Sequence, residues 1–187
     1  SGTLTVTPAP IEIMPDEEQG KIYGETDEEI TYSVEGLKNG ETAELTFTGA
    51  LGRDSGENAG EYAITEGDLD VGGNYFVDSF FDVFYTIEQR PLTVAAVMDT
   101  KTYDGEVTSD ETPTITSGAL QFGDDADFMQ SFDYPNVGDR ILTASGVVND
   151  GNGGNNYSYD FTNTAVGEIL PLEIVVTPDA NQSKIYG

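Results

Sequence analysis

The chain has 187 residues, and its 35 acidic and seven basic side chains give a formal net charge of −28 at pH 7. This charge repels phosphate backbones and anionic lipids, so it argues against binding to nucleic acid and favours a solvated acidic surface. No apolar stretch approaches the roughly 20 residues of a membrane span, so membrane insertion is not expected. Cysteine and histidine are both absent, which removes disulfides, thiolate metal sites and the usual general base.

A short motif recurs along the chain at intervals of about 80 residues. Its sequence is Lys-Ile-Tyr-Gly at 21–24, Lys-Thr-Tyr-Asp-Gly at 101–105 and Lys-Ile-Tyr-Gly at 184–187. This period is longer than the ~20–50 residues of a solenoid turn and predicts tandem small domains. The repeated positions are Lys21, Tyr23, Gly24, Lys101, Tyr103, Asp104, Gly105, Lys184, Tyr186 and Gly187.

The motif spacing predicts four segments. Residues 1–8 are expected to form the closing strand of a preceding repeat, and residues 171–187 the opening strand of a following one. Residues 9–89 and 90–170 are the two complete β domains. Pro91 and Pro171 join the segments without a Gly/Ser tether, and because proline fixes φ, these junctions predict restricted bending.

Apolar and polar residues alternate through most of both repeats, which is the pattern of half-buried strands. Clear examples are residues 30–35, Leu45 with Phe47, and residues 157–161. Turns rich in Gly and Asn separate these runs. The sequence therefore predicts an all-β chain of two tandem small β-sandwich (Ig-like) domains in an elongated rod.

Two stretches leave the assignment open. Residues 124–132 suit one helical turn as well as an irregular strand, and residues 37–45 suit a single turn. The alternative fold is accordingly a β-grasp-like module with one short helix.

The first repeat resembles the MBG domain of the YGX type, a tandem module of large bacterial surface proteins. The similarity is carried by residues 21–25, 31–42, 56–64 and 73–75. The second repeat resembles the YDG domain, its usual neighbour, through residues 90–94, 101–105, 136–138 and 156–157. The resemblance implies a non-catalytic extracellular repeat of an adhesin stalk and supplies no ligand site.

The motif itself has two interpretations. The structural one packs the tyrosine ring under the sheet, places the glycine in a turn and pairs the lysine ammonium with a carboxylate. The other is an intramolecular amide crosslink between the lysine and an Asn or Asp side chain.

Three groups of oxygen-bearing side chains are candidates for Ca²⁺, a hard cation that takes six to eight such ligands. None of them matches a complete twelve-residue calcium loop, so turns stabilised by Asp and Asn side chains are the competing interpretation. The groups are Asp150, Asn152 and Asn155; Asp124, Asp125 and Asp127; and Asp68 and Asp70 with Asn74.

The aromatic run at residues 75–85 is expected to belong to the core, although rings exposed together would mark a contact with a ligand or a neighbouring module. Acidic residues are numerous enough to lie in pairs by chance, and domains of about 80 residues rarely enclose the cleft that a glycosidase needs. We therefore expect no enzyme activity and no required cofactor.

The leading functional hypothesis is a structural stalk region of a secreted or cell-surface bacterial adhesin, located outside the cell. Its expected partners are neighbouring repeats of the same chain. The alternative is a module that itself binds a glycan or a surface protein.

Overall fold

The computed structural model describes residues 2–187, so Ser1, which belongs to the predicted segment 1–8, lies outside the described residues. The chain is all-β apart from one helical turn, α1 (Ala43–Thr46). In chain order the strands are β1 (Ala9–Pro15), β2 (Gly20–Ile22), β3 (Tyr32–Glu35), β4 (Gly52–Arg53), β5 (Gly60–Thr65), β6 (Tyr75–Phe80), β7 (Phe84–Glu88), β8 (Arg90–Ala95), β9 (Thr100–Thr102), β10 (Thr114–Ser117), β11 (Asp125–Phe132), β12 (Gly138–Asn149), β13 (Tyr157–Asn163) and β14 (Ala165–Leu170).

The chain forms two compact units. The first comprises residues up to Leu92 together with Ser117–Asp127 and Val147–Tyr159. The second comprises Thr93–Thr116, Phe128–Gly146 and Asp160–Gly187. The sequence-based boundaries at 9–89 and 90–170 stay predictions.

Two sheets lie entirely within the first unit. One has the order β3-β1-β6, and its central strand pairs antiparallel with β3 and parallel with β6. The other has the order β2-β7-β5-β4, in which β2 and β7 run parallel. Each sheet buries alternate residues, such as Ile11 and Ile13 of β1 and Tyr85 and Ile87 of β7, so the unit is a sandwich-like all-β domain.

The other strands lie in two sheets with the orders β10-β8-β13 and β11-β12-β14-β9. Within the second unit, β12 pairs antiparallel with β14, and β14 pairs parallel with β9. Leu142 of β12 and Ile169 of β14 are fully buried there. The strand pairs β2–β7 and β9–β14 place the first two motif copies in matching positions, beside a late strand of each repeat.

The structure decides the alternatives that the sequence left open. Residues 43–46 form α1, so Leu45 is not a strand residue, and its side chain is 86% exposed. With four residues and none buried, α1 is too short to cross a sheet as a β-grasp helix does. Residues 125–132 form the strand β11, in which Phe128 and Phe132 are buried and Met129 is exposed.

Residues 2–8 and 171–187 contain no strand. The apolar run at 172–176 was expected to be one, and its side chains are exposed. A lone strand has nothing to satisfy its backbone or cover its apolar face, so an apolar pattern forms a strand only beside a partner. The assignment of both segments to adjoining repeats stays a prediction.

Among residues 2–187, no helix combines the length and the apolar character needed to cross a membrane.

The burial pattern predicts the cost of truncating the core. We expect Leu142→Ala, at a side chain that is 0% exposed, to lower the free energy of unfolding by about 2–5 kcal/mol, because it removes buried methyl groups and leaves a cavity. Leu45→Ala on α1 is the matched control and should change it by no more than about 0.5 kcal/mol. Urea unfolding measures both, and equal effects would contradict the assigned core.

Candidate functional site

The first copy of the motif lies at the end of the short strand β2. Lys21 pairs with Ile87 of β7 in the parallel register, and the amide of Tyr23 donates to the carbonyl of Glu88 at 2.9 Å. Alternation along this strand buries the side chains of Lys21 and Tyr23 on the same side. The motif therefore directs a cation and a phenol into the first unit.

The ring of Tyr23 is enclosed by two other aromatic rings. Phe122 and Tyr157 each meet it edge-to-face with ring centroids 5.4 Å apart, a geometry that contributes about 0.5–1.5 kcal/mol per pair beyond simple burial. We call the surroundings of this ring the tyrosine socket, which consists of Gln121, Phe122, Asp124, Asn156 and Tyr157.

Asp124 holds the two phenols of this cluster together. Its Oδ2 accepts the hydroxyl of Tyr157 at 2.7 Å and that of Tyr23 at 3.1 Å. The hydroxyl of Tyr157 in turn accepts the backbone amide of Gln121 at 2.9 Å. Burial, together with the hydrogen bond to the Asp124 carboxylate, raises the pKa of Tyr23 to about 12 and also raises the pKa of Tyr157.

Two neighbouring residues, Gly24 and Arg90, fix the backbone at Tyr23. Gly24 has φ +90°, and a Cβ added there would lie 2.3 Å from Cγ of Gln121, so a larger residue would be strained as well as crowded. Arg90 Nε donates to the carbonyl of Tyr23 at 2.6 Å. The geometry of the first motif copy thus agrees with the structural interpretation of the motif, in which the tyrosine packs and the glycine forms a turn.

Lys21 belongs to a compact cluster of four charges. Its ammonium lies 2.6 Å from Asp27 and 2.5 Å from Glu57. Arg53 pairs with the same two carboxylates at 2.7 and 2.8 Å, and its guanidinium lies 5.0 Å from the centre of the Tyr62 ring. Two buried cations therefore meet two half-exposed carboxylates, and the four charges sum to zero.

The pKa shifts in this cluster favour the charged form of each side chain. Burial opposes the charge on Lys21, but hydrogen bonds to Asp27 and Glu57 outweigh it and raise the pKa of the ammonium. The guanidinium of Arg53 lowers the pKa of the Asp27 carboxyl, and Lys21 does the same for Glu57. An amide bond requires an uncharged amine, so this environment works against the crosslink.

The Gly-rich loop at 150–156 is organised by Asp150. Its Oδ1 accepts the amides of Asn152 and Gly154 at 2.7 and 2.8 Å, and its Oδ2 accepts that of Asn156 at 2.9 Å. Burial raises the pKa of this carboxyl, but the three amides outweigh it and the net pKa is lowered. Asn155 donates its side-chain amide to the carbonyl of Asn152 at 2.6 Å. These predicted calcium ligands act as turn-forming groups in the structure.

Asn156 is fully buried and fully engaged. Its Oδ1 accepts the amide of Ala59 at 2.8 Å and the side chain of Asn152 at 3.0 Å, and its Nδ2 donates to Asn58 at 3.1 Å. Because an unpaired buried amide is costly, this residue ties the loop firmly to residues 58–59.

The remaining calcium candidates do not converge. Asp68 accepts the amide of Ala50, and Asp70 accepts that of Gly72, each at 2.9 Å. Asp125 and Asp127 lie on β11 with exposed side chains, whereas Asp124 belongs to the tyrosine socket. Within the described part of the chain, no group of three or more acidic side chains is placed to hold a metal ion. Calcium binding stays a prediction.

The second copy of the motif makes different contacts. Lys101 donates to the carbonyls of Glu106 and Thr108 at 3.1 and 2.9 Å, pairs with Asp104 at 2.9 Å and lies 5.8 Å from the centre of the Phe132 ring. The Tyr103 amide donates to Leu170, as Tyr23 does to Glu88, but the Tyr103 ring is exposed. Gly105 has φ +86° and supplies the turn.

The third copy is exposed throughout. Lys184, Tyr186 and Gly187 lie in a segment without strand structure. The motif therefore occurs once with its tyrosine buried and twice with its tyrosine exposed.

The aromatic run at residues 75–85 is divided between core and surface. Tyr75 and Tyr85 are buried, whereas Phe76, Phe81 and Phe84 are exposed. The interpretation of the whole run as core is thus right only for the two tyrosines and for the partly covered Phe80.

Sequence reasoning missed the partners of the motif. Arg53, Asp27 and Glu57 carry no recognisable spacing relative to Lys21. One signal was available in the composition. With seven basic residues among 35 acidic ones, each cation has several carboxylates to pair with, so an ion pair at Lys21 is expected. Which of them it meets depends on the fold.

A protein-family model described as the MBG domain (YGX type) matches residues 11–80. No curated protein and no solved structure matched the chain. The family match ends before β8, so the YDG resemblance of the second repeat stays a prediction.

The socket predicts a pH-dependent stability. A pKa raised from 10.0 to about 12 means that the folded protein holds the Tyr23 proton more tightly than the unfolded chain does. The resulting stabilisation is complete below pH 10 and is lost as the pH rises to about 12. We expect urea midpoints of the wild type to fall relative to Tyr23→Phe over that window. Tyr134→Phe, at an exposed ring, is the control, and parallel profiles of wild type and Tyr23→Phe would disprove this origin.

The charge cluster predicts an unmodified Lys21. Intact-mass spectrometry of the purified chain should give the mass of the plain sequence, without loss of one water or one ammonia. Lys21→Arg, which cannot form the amide, serves as the reference and should differ from the wild type by the substitution alone. A wild-type mass lower by water or ammonia would restore the crosslink.

Proposed function

We infer that this chain is a non-catalytic stalk region of a secreted or cell-surface bacterial adhesin, and the match of residues 11–80 to the family model of the MBG domain (YGX type) supports this proposal. Its work is to project a distal binding region away from the cell. The acidic surface supports this role by discouraging association between neighbouring stalks.

The proposal rests on one observation, namely that the fold buries its reactive side chains. Lys21 and Tyr23, the groups best suited to chemistry, are buried in ion pairs and in the tyrosine socket. Catalysis and ligand binding need such groups exposed in a cleft, whereas a structural module needs them locked.

A stalk must remain folded under tension. The side chains of the motif add contacts that its own short strand lacks. β2 has only three residues paired with β7. Ring burial and ion pairing next to this strand add contacts that would have to break before it detached. The motif therefore secures one of the two shortest strands of its sheet.

A binding role is the second candidate, and the exposed rings of Phe76, Phe81 and Phe84 favour it. Aromatic rings on a surface are suitable platforms for sugars or for a protein partner. A glycan array with the triple alanine variant as control tests this function. Binding that the variant loses would make the module adhesive in its own right.

The stalk function predicts how reach depends on copy number. One, two and four copies of residues 9–170 are placed between a cell anchor and a fluorescent tip, and the height of the tip is measured by localisation microscopy. We expect the height to rise in proportion to copy number. Gly/Ser linkers of equal length are the control and should follow the square root of length. Equal heights for the repeats and the linkers would rule out a stalk.

A further inference from the structure

The tyrosine socket has a second, homologous version in the first repeat. Tyr75 donates its hydroxyl to Glu41 and accepts the amide of Lys38 at 3.0 Å. This arrangement repeats that of Tyr157, which donates to Asp124 and accepts the amide of Gln121 at 2.9 Å. A carboxylate, a phenol and a backbone amide thus recur in the same order.

The backbone around the two sites agrees as well. Asn39 has φ 56°, and Phe122, at the matching turn position, has φ 53°. Strand β1 begins with a hydrogen bond from the amide of Ala9 to Asn74 at 2.8 Å. Strand β8 begins in the same way, from Arg90 to Asn156 at 2.9 Å.

These matching residues line one surface groove of the first unit. We call it the head groove and define it by Thr7, Lys38, Asn39, Glu41, Asn74 and Tyr75. In the tyrosine socket, the corresponding side chains surround Tyr23. The head groove is therefore shaped for a tyrosine of the same motif.

The segment leading into the head groove has the sequence of a motif-binding strand. Residues 4–7 are Leu-Thr-Val-Thr and correspond to Tyr-Thr-Ile-Glu at 85–88, of which the last three residues pair with β2. Tyr85 and Ile87 are buried, whereas Leu4 and Val6 are 90% and 86% exposed. Residues 4–7 thus present an apolar strand edge.

The chain also carries an exposed segment that fits this edge. Residues 184–187 repeat the sequence of residues 21–24, Lys-Ile-Tyr-Gly. Ile185 is 90% exposed, and Tyr186 is fully exposed. Since residues 21–24 bind beside β7 and fill the tyrosine socket, an identical segment has the side chains to bind beside residues 6 and 7 and fill the head groove.

We propose that residues 184–187 of one copy of this chain dock into the head groove of a second copy. Residues 184 and 185 add to residues 6 and 7 as a parallel strand, in the register of 21 and 22 beside 87 and 88. Tyr186 donates its hydroxyl to Glu41 and sets its ring edge-on to Tyr75, as Tyr23 does with Asp124 and Tyr157. The contact joins different surfaces of the two copies, so it is heterologous.

Charge sets the conditions for this contact. Each copy carries a formal charge of −28, so long-range repulsion opposes association at low ionic strength. Salt screens this repulsion within about 10 Å at 0.1 M, whereas the short-range contacts of the groove remain. Association should therefore strengthen as salt is added. The docking is independent of the stalk role, because it concerns a contact between copies.

The direct test is a peptide titration followed by amide NMR shifts. The receptor is the full chain with Tyr186→Ala, which removes the competing tail residue. The probe is a blocked peptide of residues 181–187. We expect saturable shifts confined to residues 5–9, 38–41 and 73–75. Asn39→Phe places a ring at the position that matches Phe122 in the tyrosine socket. It should tighten binding of the peptide about two- to tenfold, the range that one aromatic pair contributes.

The control peptide has Ala in place of Tyr186. Shifts that are absent at millimolar peptide, that the control peptide reproduces, or that lie outside these residues would overturn the proposal.

Sedimentation equilibrium of the full chain tests the contact between copies. The weight-average mass of the wild type should rise with protein concentration and with salt, while Tyr186→Ala stays monomeric. Tyr134→Ala removes another exposed ring and should behave as the wild type does. A wild type that stays monomeric at all concentrations, or an equal loss of association with Tyr134→Ala, would refute the docking.

Discussion

The first unit depends on one carboxylate that is shared by two buried phenols. Asp124 accepts hydrogen bonds from Tyr23 and Tyr157, and neither hydroxyl could be buried cheaply without such a partner. The shared acceptor fixes both rings edge-to-face and holds the motif beside the residues that enclose it. Gly24 supports this contact because it leaves room for the side chain of Gln121. Arg90 supports it by donating to the carbonyl of Tyr23.

Most of the few cations have a structural use. Lys21 and Arg53 neutralise two carboxylates that would otherwise repel each other. Lys101 and Arg140 donate to backbone carbonyls of the loops beside their strands, and Lys101 also pairs with Asp104. The acidic excess lies mainly outside the strands, at positions where water solvates it and where it costs the fold little.

The same motif behaves differently in its three copies because the surroundings differ. In the first copy, residues 121–124 and 157 cover the tyrosine. In the second, the strand pairing is retained while the ring stays exposed, and Lys101 turns to local carbonyls. Backbone pairing is thus intrinsic to the motif and its neighbouring strand, whereas burial of the tyrosine needs an aromatic and acidic surface from elsewhere in the chain.

Period-two alternation determined, from the sequence alone, that the chain is all-β, and the repeated motif predicted the tandem arrangement. These are local signals, and they also place the turns at Asn39 and the Gly-rich loops. The aromatic run shows the limit, since alternation puts Phe84 and Tyr85 on opposite faces of a strand but, with a ring on each face, could not tell which face is buried. Only the tertiary structure decided which carboxylate each cation meets, that Asp124 binds phenols, and that the helical turn stops at four residues. The reason is that these outcomes depend on contacts such as Tyr23 to Asp124 and Asn58 to Asn156, between residues far apart in the chain, whose proximity no local pattern encodes.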